Sequence, residues 1–384
     1  MKVLKRSLYD QLSSKLMPGK VLLLLGPRRV GKTFLLNLFL EEVSEPYLYW
    51  SGEDIELGKL LEHRSVEHYR NLTGGKKLLV IDEAQKIREI GAVLKLFIDH
   101  VEGLKIIATG SSAFDLNRQL GEPLTGRKWT FYMFPPSELE FSYDEDYLTQ
   151  QSRMQERLVL GSYPELLHLP DRQDKVAYLT EMVRDYLLKD ILELEGLRNT
   201  HKITDLLRLL AFQTGSEVSL SELGRQLSMD KNTVERYLNL LAEVFIIFNV
   251  RGYSRNLRKE ITKNSKWYFV DNGIRNTLIS NFNPIELRND QGALWENFIL
   301  SERIKYQHYT RLMSNNFFWR TYDQQEIDWI EERGGQLYGY EMKWSKPNAK
   351  APTGWANAYP DAHFKVVHPG NFREFVIKDD SAAI

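Results

Sequence analysis

The chain has 384 residues, enough for two or three domains, and 42% of them are hydrophobic, enough for sizeable cores. Its formal net charge of −1 excludes an overall electrostatic pull toward nucleic acid or anionic membrane. With no cysteine there are no disulfides, no cysteine zinc sites and no thiol chemistry.

The first twenty residues are amphipathic and lack an apolar core followed by a cleavage site, and no apolar run approaches the roughly 20 residues that cross a bilayer. The expectation is a cytoplasmic chain with no membrane partner.

The first strong element is Val21-Leu22-Leu23-Leu24-Leu25. A strand with no polar residue fits the centre of a parallel sheet covered on both faces. It runs into Gly26-Pro27-Arg28-Arg29-Val30-Gly31-Lys32-Thr33, and an apolar helix opens with Phe34. Strand, glycine spacing, lysine and threonine all agree with a phosphate-binding loop. Its glycines let successive amides wrap an anion, and the helix adds its N-terminal dipole. Lys32 is expected on the β- and γ-phosphates and Thr33 on magnesium. Arg28 and Arg29 are either phosphate contacts or surface cations. A nucleoside triphosphate, ATP, with Mg²⁺ is the implied ligand.

Further strands are expected near 47–50, 78–82, 105–109 and 129–133. The run Leu78-Leu79-Val80-Ile81 ends in Asp82-Glu83. Asp82 suits a magnesium-associated acid, and Glu83 is placed to polarise an attacking water. Such a pair after a phosphate loop favours hydrolysis over nucleotide storage. Thr109 and Ser111 close the next strand and are candidates for sensing the γ-phosphate or orienting the water, although the serines of this stretch also suit a helix cap. Arg127 precedes the last strand. It is a candidate phosphate contact, in cis or from a neighbouring subunit, or simply a surface base.

Pro135-Pro136 stops that strand and marks a boundary. Residues 1–136 read as the nucleotide domain and 137–200 as a helical lid beside the nucleotide. Residues 201–254 hold two short helices, the first capped by Ser219 or Ser221 and the second by Asp230, followed by a hydrophobic hairpin from Phe245 to Val250. That is a winged-helix pattern. Lys231, Asn232, Thr233 and Arg236 are its candidates for a nucleic-acid groove. Its local charge balance instead suits a packing or protein-contact module.

Residues 255–384 form the last expected domain. A basic run, Arg255, Arg258, Lys259, Lys263 and Lys266, flanked by Tyr253 and Trp267, is the best nucleic-acid candidate, with a solvated loop as the duller reading. Beyond it a helix carries Glu296. Two strands joined at Gly334-Gly335 carry Asp328 and then Glu341 with Lys343. A repeat of two residues puts Glu341 and Lys343 on one strand face. Two carboxylates can hold a second hard divalent cation and a lysine can orient water, chemistry suited to cutting a phosphodiester. A solvated strand face with a Glu–Lys pair is the bland alternative.

Across essentially its whole length the chain resembles the prokaryotic AAA-type ATPases that carry a C-terminal domain of unknown function. The matching pieces are the loop 26–33, Leu79-Val80-Ile81-Asp82-Glu83-Ala84-Gln85, Thr109-Gly110-Ser111-Ser112, Gly126-Arg127, and Phe134-Pro135-Pro136-Ser137-Glu138-Leu139. So are Gly292-Ala293-Leu294-Trp295-Glu296-Asn297-Phe298 and Glu326-Ile327-Asp328 followed by Glu341-Met342-Lys343. The resemblance implies a multidomain α/β protein: a P-loop NTPase core with an AAA-like parallel sheet, a helical lid, a winged helix, and a C-terminal fold similar to restriction-endonuclease-like nucleases. It carries Lys32, Thr33, Asp82 and Glu83 over to their nucleotide roles, and Glu296, Asp328, Glu341 and Lys343 to a nuclease site. No clear second arginine sensor is present, so a closed hexamer is not implied. Three functions compete: an ATPase that switches a nucleic-acid or partner-binding domain, an ATP-controlled nuclease, and a nucleotide-sensing regulator or scaffold.

Overall fold

The computed structural model describes residues 3–111, 124–184, 200–254, 265–345 and 348–378. The chain forms two compact units. Among the described residues no helix is long and apolar enough to cross a membrane.

One unit comprises residues 2–135 together with Glu243–Phe245. Its sheet has five strands: β1 (Val21–Leu25), β2 (Tyr47–Ser51), β3 (Leu78–Asp82), β4 (Lys105–Gly110) and β5 (Lys128–Tyr132). They lie in the order β2-β3-β4-β1-β5, and all are parallel. Every residue of β1 and β3 is buried, which is why both read as unbroken apolar runs. The core packs Leu23, Leu25, Leu79, Ile81 and Ile106 against Leu94 and Phe97 of the helix Ile90–His100. Because the strands run the same way, their C-terminal ends share one edge, where open α/β sheets place ligands. Phe245 joins this unit, edge-to-face with Tyr132 at 5.9 Å and with Phe134 at 6.4 Å.

The other unit comprises essentially residues 136–242 and 246–384. The strands β6 (Glu217–Val218), β7 (Ile247–Gly252), β8 (Ser265–Phe269), β9 (Asn315–Arg320), β10 (Glu326–Arg333), β11 (Gln336–Met342) and β12 (His363–Val367) form one seven-stranded sheet. Its order is β12-β11-β10-β9-β7-β8-β6. The expected boundary at 254/255 therefore falls between two strands of a single sheet. β7 pairs with β8 on one side and with β9 on the other, so the hairpin expected to close a winged helix also carries the C-terminal strands. Within this region Ser219 caps the helix Leu220–Leu227 and Asp230 caps the helix Lys231–Glu243. Residues 255–264 of the basic run lie outside the described residues.

The stretch expected as a lid, 137–200, is described to 184 and at its last residue. Its helices make their tertiary contacts inside this second unit. Asn272 and Asn276 donate to the carbonyls of Leu158 and Val159 at 2.9 and 2.7 Å. Asp271 accepts the Ser162 amide at 2.9 Å. Segment 137–145 is held by buried charge. Arg157 donates to both oxygens of Glu138 and of Glu145. Glu302, paired with Lys305 at 2.6 Å, accepts the Glu138 amide at 2.6 Å. Burial lifts the Glu138 carboxyl to about 7 against the pull of Arg157.

A further ion pair lies under the sheet. Arg303 meets both oxygens of Glu331 at 2.6 and 2.8 Å, and both side chains are fully buried. Gln307 and Trp329 donate to the same carboxylate at 2.8 and 2.9 Å. Removing one partner of such a pair leaves a bare buried charge. Arg303→Met should therefore destabilise this unit by about 3–5 kcal/mol. Urea unfolding checks this, and a loss under about 1 kcal/mol would show that the pair is not structurally required.

Candidate functional sites

The phosphate loop leaves β1 at Gly26. A Cβ added there would lie 2.0 Å from the Met133 carbonyl oxygen, so this position accepts only glycine. The chain then bends through Arg29 and Gly31, both with positive φ, into the helix Lys32–Glu41. The Lys32 ammonium is buried and donates to the carbonyls of Gly26 and Pro27 at 2.8 and 2.9 Å. Arg6 braces the loop from outside, donating to Val30 O at 2.8 Å and to Phe134 O at 2.6 Å.

Asp82, at the end of β3, gathers three hydroxyls. Thr33 donates to it at 2.7 Å, Tyr49 at 3.0 Å, and Thr109 through a short bond. Thr109 also accepts the Glu83 amide at 3.0 Å. Burial, with the charge of Asp82 next, pushes the Tyr49 phenol far above its ordinary range, so it stays a donor. Glu83 itself takes the left-handed conformation, with φ 51°. Its carboxylate accepts from Gln85 and, at 3.3 Å, from Ser111. Ser111 in turn accepts from Gln85 at 2.9 Å and from Arg28 at 3.4 Å. The structure thus brings Lys32, Thr33, Asp82, Glu83, Thr109, Ser111 and Arg28 to one sheet edge. Phe34, by contrast, is exposed.

Arg127 is placed elsewhere. Its carbonyl accepts the Val21 amide, so it sits where β1 and β5 begin, roughly 16 Å of strand away from the loop. Its guanidinium is ion-paired with Asp99. A phosphate contact in cis is therefore corrected: a residue preceding a parallel strand lies at the sheet edge opposite the ligand.

In the second unit, Glu296 comes from the helix Gln291–Thr310 and Asp328 from β10. The antiparallel register Trp329↔Tyr340 makes Asp328 and Glu341 the next residues along their strands. Gly334 and Gly335 both have positive φ and close the hairpin tightly. Glu296, Asp328 and Lys343 line one cavity of about 300 Å³ with Gln291, Met342 and Trp344. Glu341 does not line it but pairs with Lys343 at 2.6 Å. Burial, then the charges of Glu296 and Glu341, push the Asp328 carboxyl well above the usual carboxylate range. Burial likewise raises Glu296, against the pull of Lys266. Among the described residues, no group of three or more His, Cys, Asp or Glu is placed to hold a metal ion. The expected second metal therefore finds no support.

Residues 18–142 match the family model described as an AAA domain. Residues 151–285 and 291–382 match two models described as domains of unknown function, DUF8612 and DUF4143 respectively. An uncharacterized protein of Mycobacterium tuberculosis is 27% identical over 391 aligned residues, covering 99% of this chain and 83% of that protein. One of Haemophilus influenzae is 23% identical, covering 91% and 88%. Among solved structures, a Walker-type ATPase of Pyrococcus abyssi superposes with a TM-score of 0.51 at 18% identity, covering 72% of this chain and 96% of that one. The first unit is thus similar to P-loop domains of AAA type, and ATP binding and hydrolysis are the chemistry this supports. The last segment is similar to the DUF4143 domain.

Arg6, Tyr49 and Tyr268 were not singled out as site residues in the sequence, and Lys266 was read there only as part of the basic run. Arg6 and Tyr49 carry no local signal, since each acts through contacts made only after folding. Lys266 and Tyr268 did carry one: alternation on β8 sets them on one face. The close approach at Gly26 gives a direct test. Gly26→Ala should weaken binding of a fluorescent ATP analogue at least tenfold. Gly58→Ala, whose added methyl meets nothing within 4 Å, should leave it unchanged. Equal affinities would mean that the loop does not need this contact.

Proposed function

We propose that the first unit binds and hydrolyses ATP with Mg²⁺, and that its nucleotide state switches what the second unit binds. The observation that carries this reading is the convergence of Thr33, Thr109 and Tyr49 on Asp82, beside a buried Lys32. The hydroxyl of Thr33 and the carboxylate of Asp82 are hard oxygen donors 2.7 Å apart, a set that fits magnesium. Bound there, the ion would supply charge neutralisation to the β- and γ-phosphates.

Lys32 exchanges its loop carbonyls for phosphate oxygens when ATP enters. Glu83 orients a water on the γ-phosphorus and takes its proton. The new P–O bond forms as the bond to the β–γ bridging oxygen breaks, leaving ADP and phosphate. Thr109 fixes Asp82 and the Glu83 amide together, so the acid and the base keep their spacing.

Coupling is supported by the chain between the units. The Met133 amide donates to Leu25 O at 2.7 Å, and Met133 O abuts Gly26. Five residues on, Glu138 is clamped by Arg157 and Glu302. A shift of the loop therefore reaches a segment whose far end is fixed by buried charge. A switch of this kind serves a nucleic-acid partner or a regulatory protein, and equally a nucleotide-sensing scaffold.

Lys32→Ala should abolish ATP binding. Glu83→Gln should keep binding and slow turnover about 10²–10⁴-fold, measured as phosphate release. Full-rate hydrolysis by Glu83→Gln would remove Glu83 from the role of base.

A second reading, an ATP-controlled nuclease, is favoured by the shared cavity of Glu296, Asp328 and Lys343. It requires DNA or RNA cleavage by the full chain with Mg²⁺ or Mn²⁺, lost on Asp328→Ala. No cleavage of either nucleic acid leaves the partner-binding reading in place.

A further inference from the structure

Lys266 lies on β8 with 1% of its surface exposed. An ammonium is not left there without anionic partners, because burial strongly disfavours a bare charge. It finds them in the acid cluster of the second unit: its Nζ is ion-paired with Glu326 and lies 3.8 Å from Glu296 Oε1. The Phe318 ring sits 5.3 Å from the same Nζ. Burial pulls the ammonium down, yet Glu296, Asp328 and Glu326 together hold it above its ordinary value.

Each of the nearby carboxylates is engaged through one oxygen. Glu296 Oε1 accepts the Tyr268 hydroxyl at 2.6 Å. Asp328 Oδ2 accepts the Met342 amide at 2.8 Å. Glu341 pairs with Lys343 through Oε1, while its buried Oε2 has no hydrogen-bond partner. A hard divalent ion needs several free oxygens converging on one point, commonly about six. A lysine needs less: it is a compact charge with three donors on a tether. With Lys266 among them, the described residues do not fit a divalent ion here.

We infer that Lys266 is a built-in cation that takes the place a divalent metal would hold among Glu296, Asp328 and Glu326, so that this site works without a metal. The fixed charge offsets the carboxylates of Glu296 and Asp328 permanently. Contact with an incoming partner then falls to Lys343, Gln291 and Trp344 at its wall. The inference goes beyond the proposed switch and counts against the nuclease reading of this cavity. It stands apart from the ATPase reading, which is tested by phosphate release and can fail without affecting it.

The test is Mn²⁺ binding by the full chain without nucleotide, followed by electron paramagnetic resonance. An Asp82→Asn background removes the expected magnesium ligand of the other unit. With Lys266 in place, adding Asp328→Asn should release no Mn²⁺. Lys266→Met should gain about one Mn²⁺ per chain, and adding Asp328→Asn should remove it again. A Mn²⁺ that is bound with Lys266 present and lost on Asp328→Asn would overturn the inference. A folded Lys266→Met chain that binds none would overturn it as well. Should Lys266→Met fail to fold, the comparison with and without Asp328→Asn in the Lys266 chain decides alone.

Discussion

The nucleotide edge depends on one carboxylate. Asp82 closes β3 and draws in a hydroxyl from the helix after the loop, one from β2 and one from β4. Each donor belongs to a separate element, so their meeting point fixes the relative position of all of them. An acid at this point faces no competing cation among these contacts, and the hydroxyls satisfy it at little electrostatic cost. The arrangement holds the site together before any ligand arrives, in the manner of a preorganised polar centre.

How much of this was legible in the sequence follows from range. The loop, the apolar strands and the Asp82-Glu83 pair are local patterns. The strands expected near 21–25, 47–50, 78–82, 105–109 and 129–133 lie within a residue or so of those formed. Tyr49 and Arg6 were not legible, because their roles exist only once distant segments meet. The cis reading of Arg127, one of three weighed, fails for a different reason. Its neighbourhood matched a pattern, but the direction of a parallel strand already assigns the preceding residue to the far edge, and that rule was enough to correct it. Lys266 was read as part of a basic run by composition, whereas the period of β8 points it inward beside Tyr268.

The second unit shows how texture misleads about boundaries. A change to basic residues at about 255 looks like the start of a domain. Those residues connect two strands of the same sheet, and hydrogen bonding across β8, β7 and β9 joins what composition separates. The expected lid shows the same limit of local patterns. Helical periodicity reported helices correctly but could not say which core they cover, and the buried Asn, Asp, Glu and Arg contacts made that choice.

Phe245 sets a limit on how this protein can be divided. The residues 243–245 belong to the first unit although their neighbours on both sides belong to the second. The aromatic ring they deliver packs on Tyr132 and Phe134, at the end of the strand beside the phosphate loop. A fragment cut at the Pro135-Pro136 step would carry the whole loop yet lack that ring. The first unit cannot be inherited, exchanged or expressed as the stretch before that step without leaving part of itself behind. Recombination that shuffles modules at linkers is thereby penalised here, and the two halves are constrained to travel together.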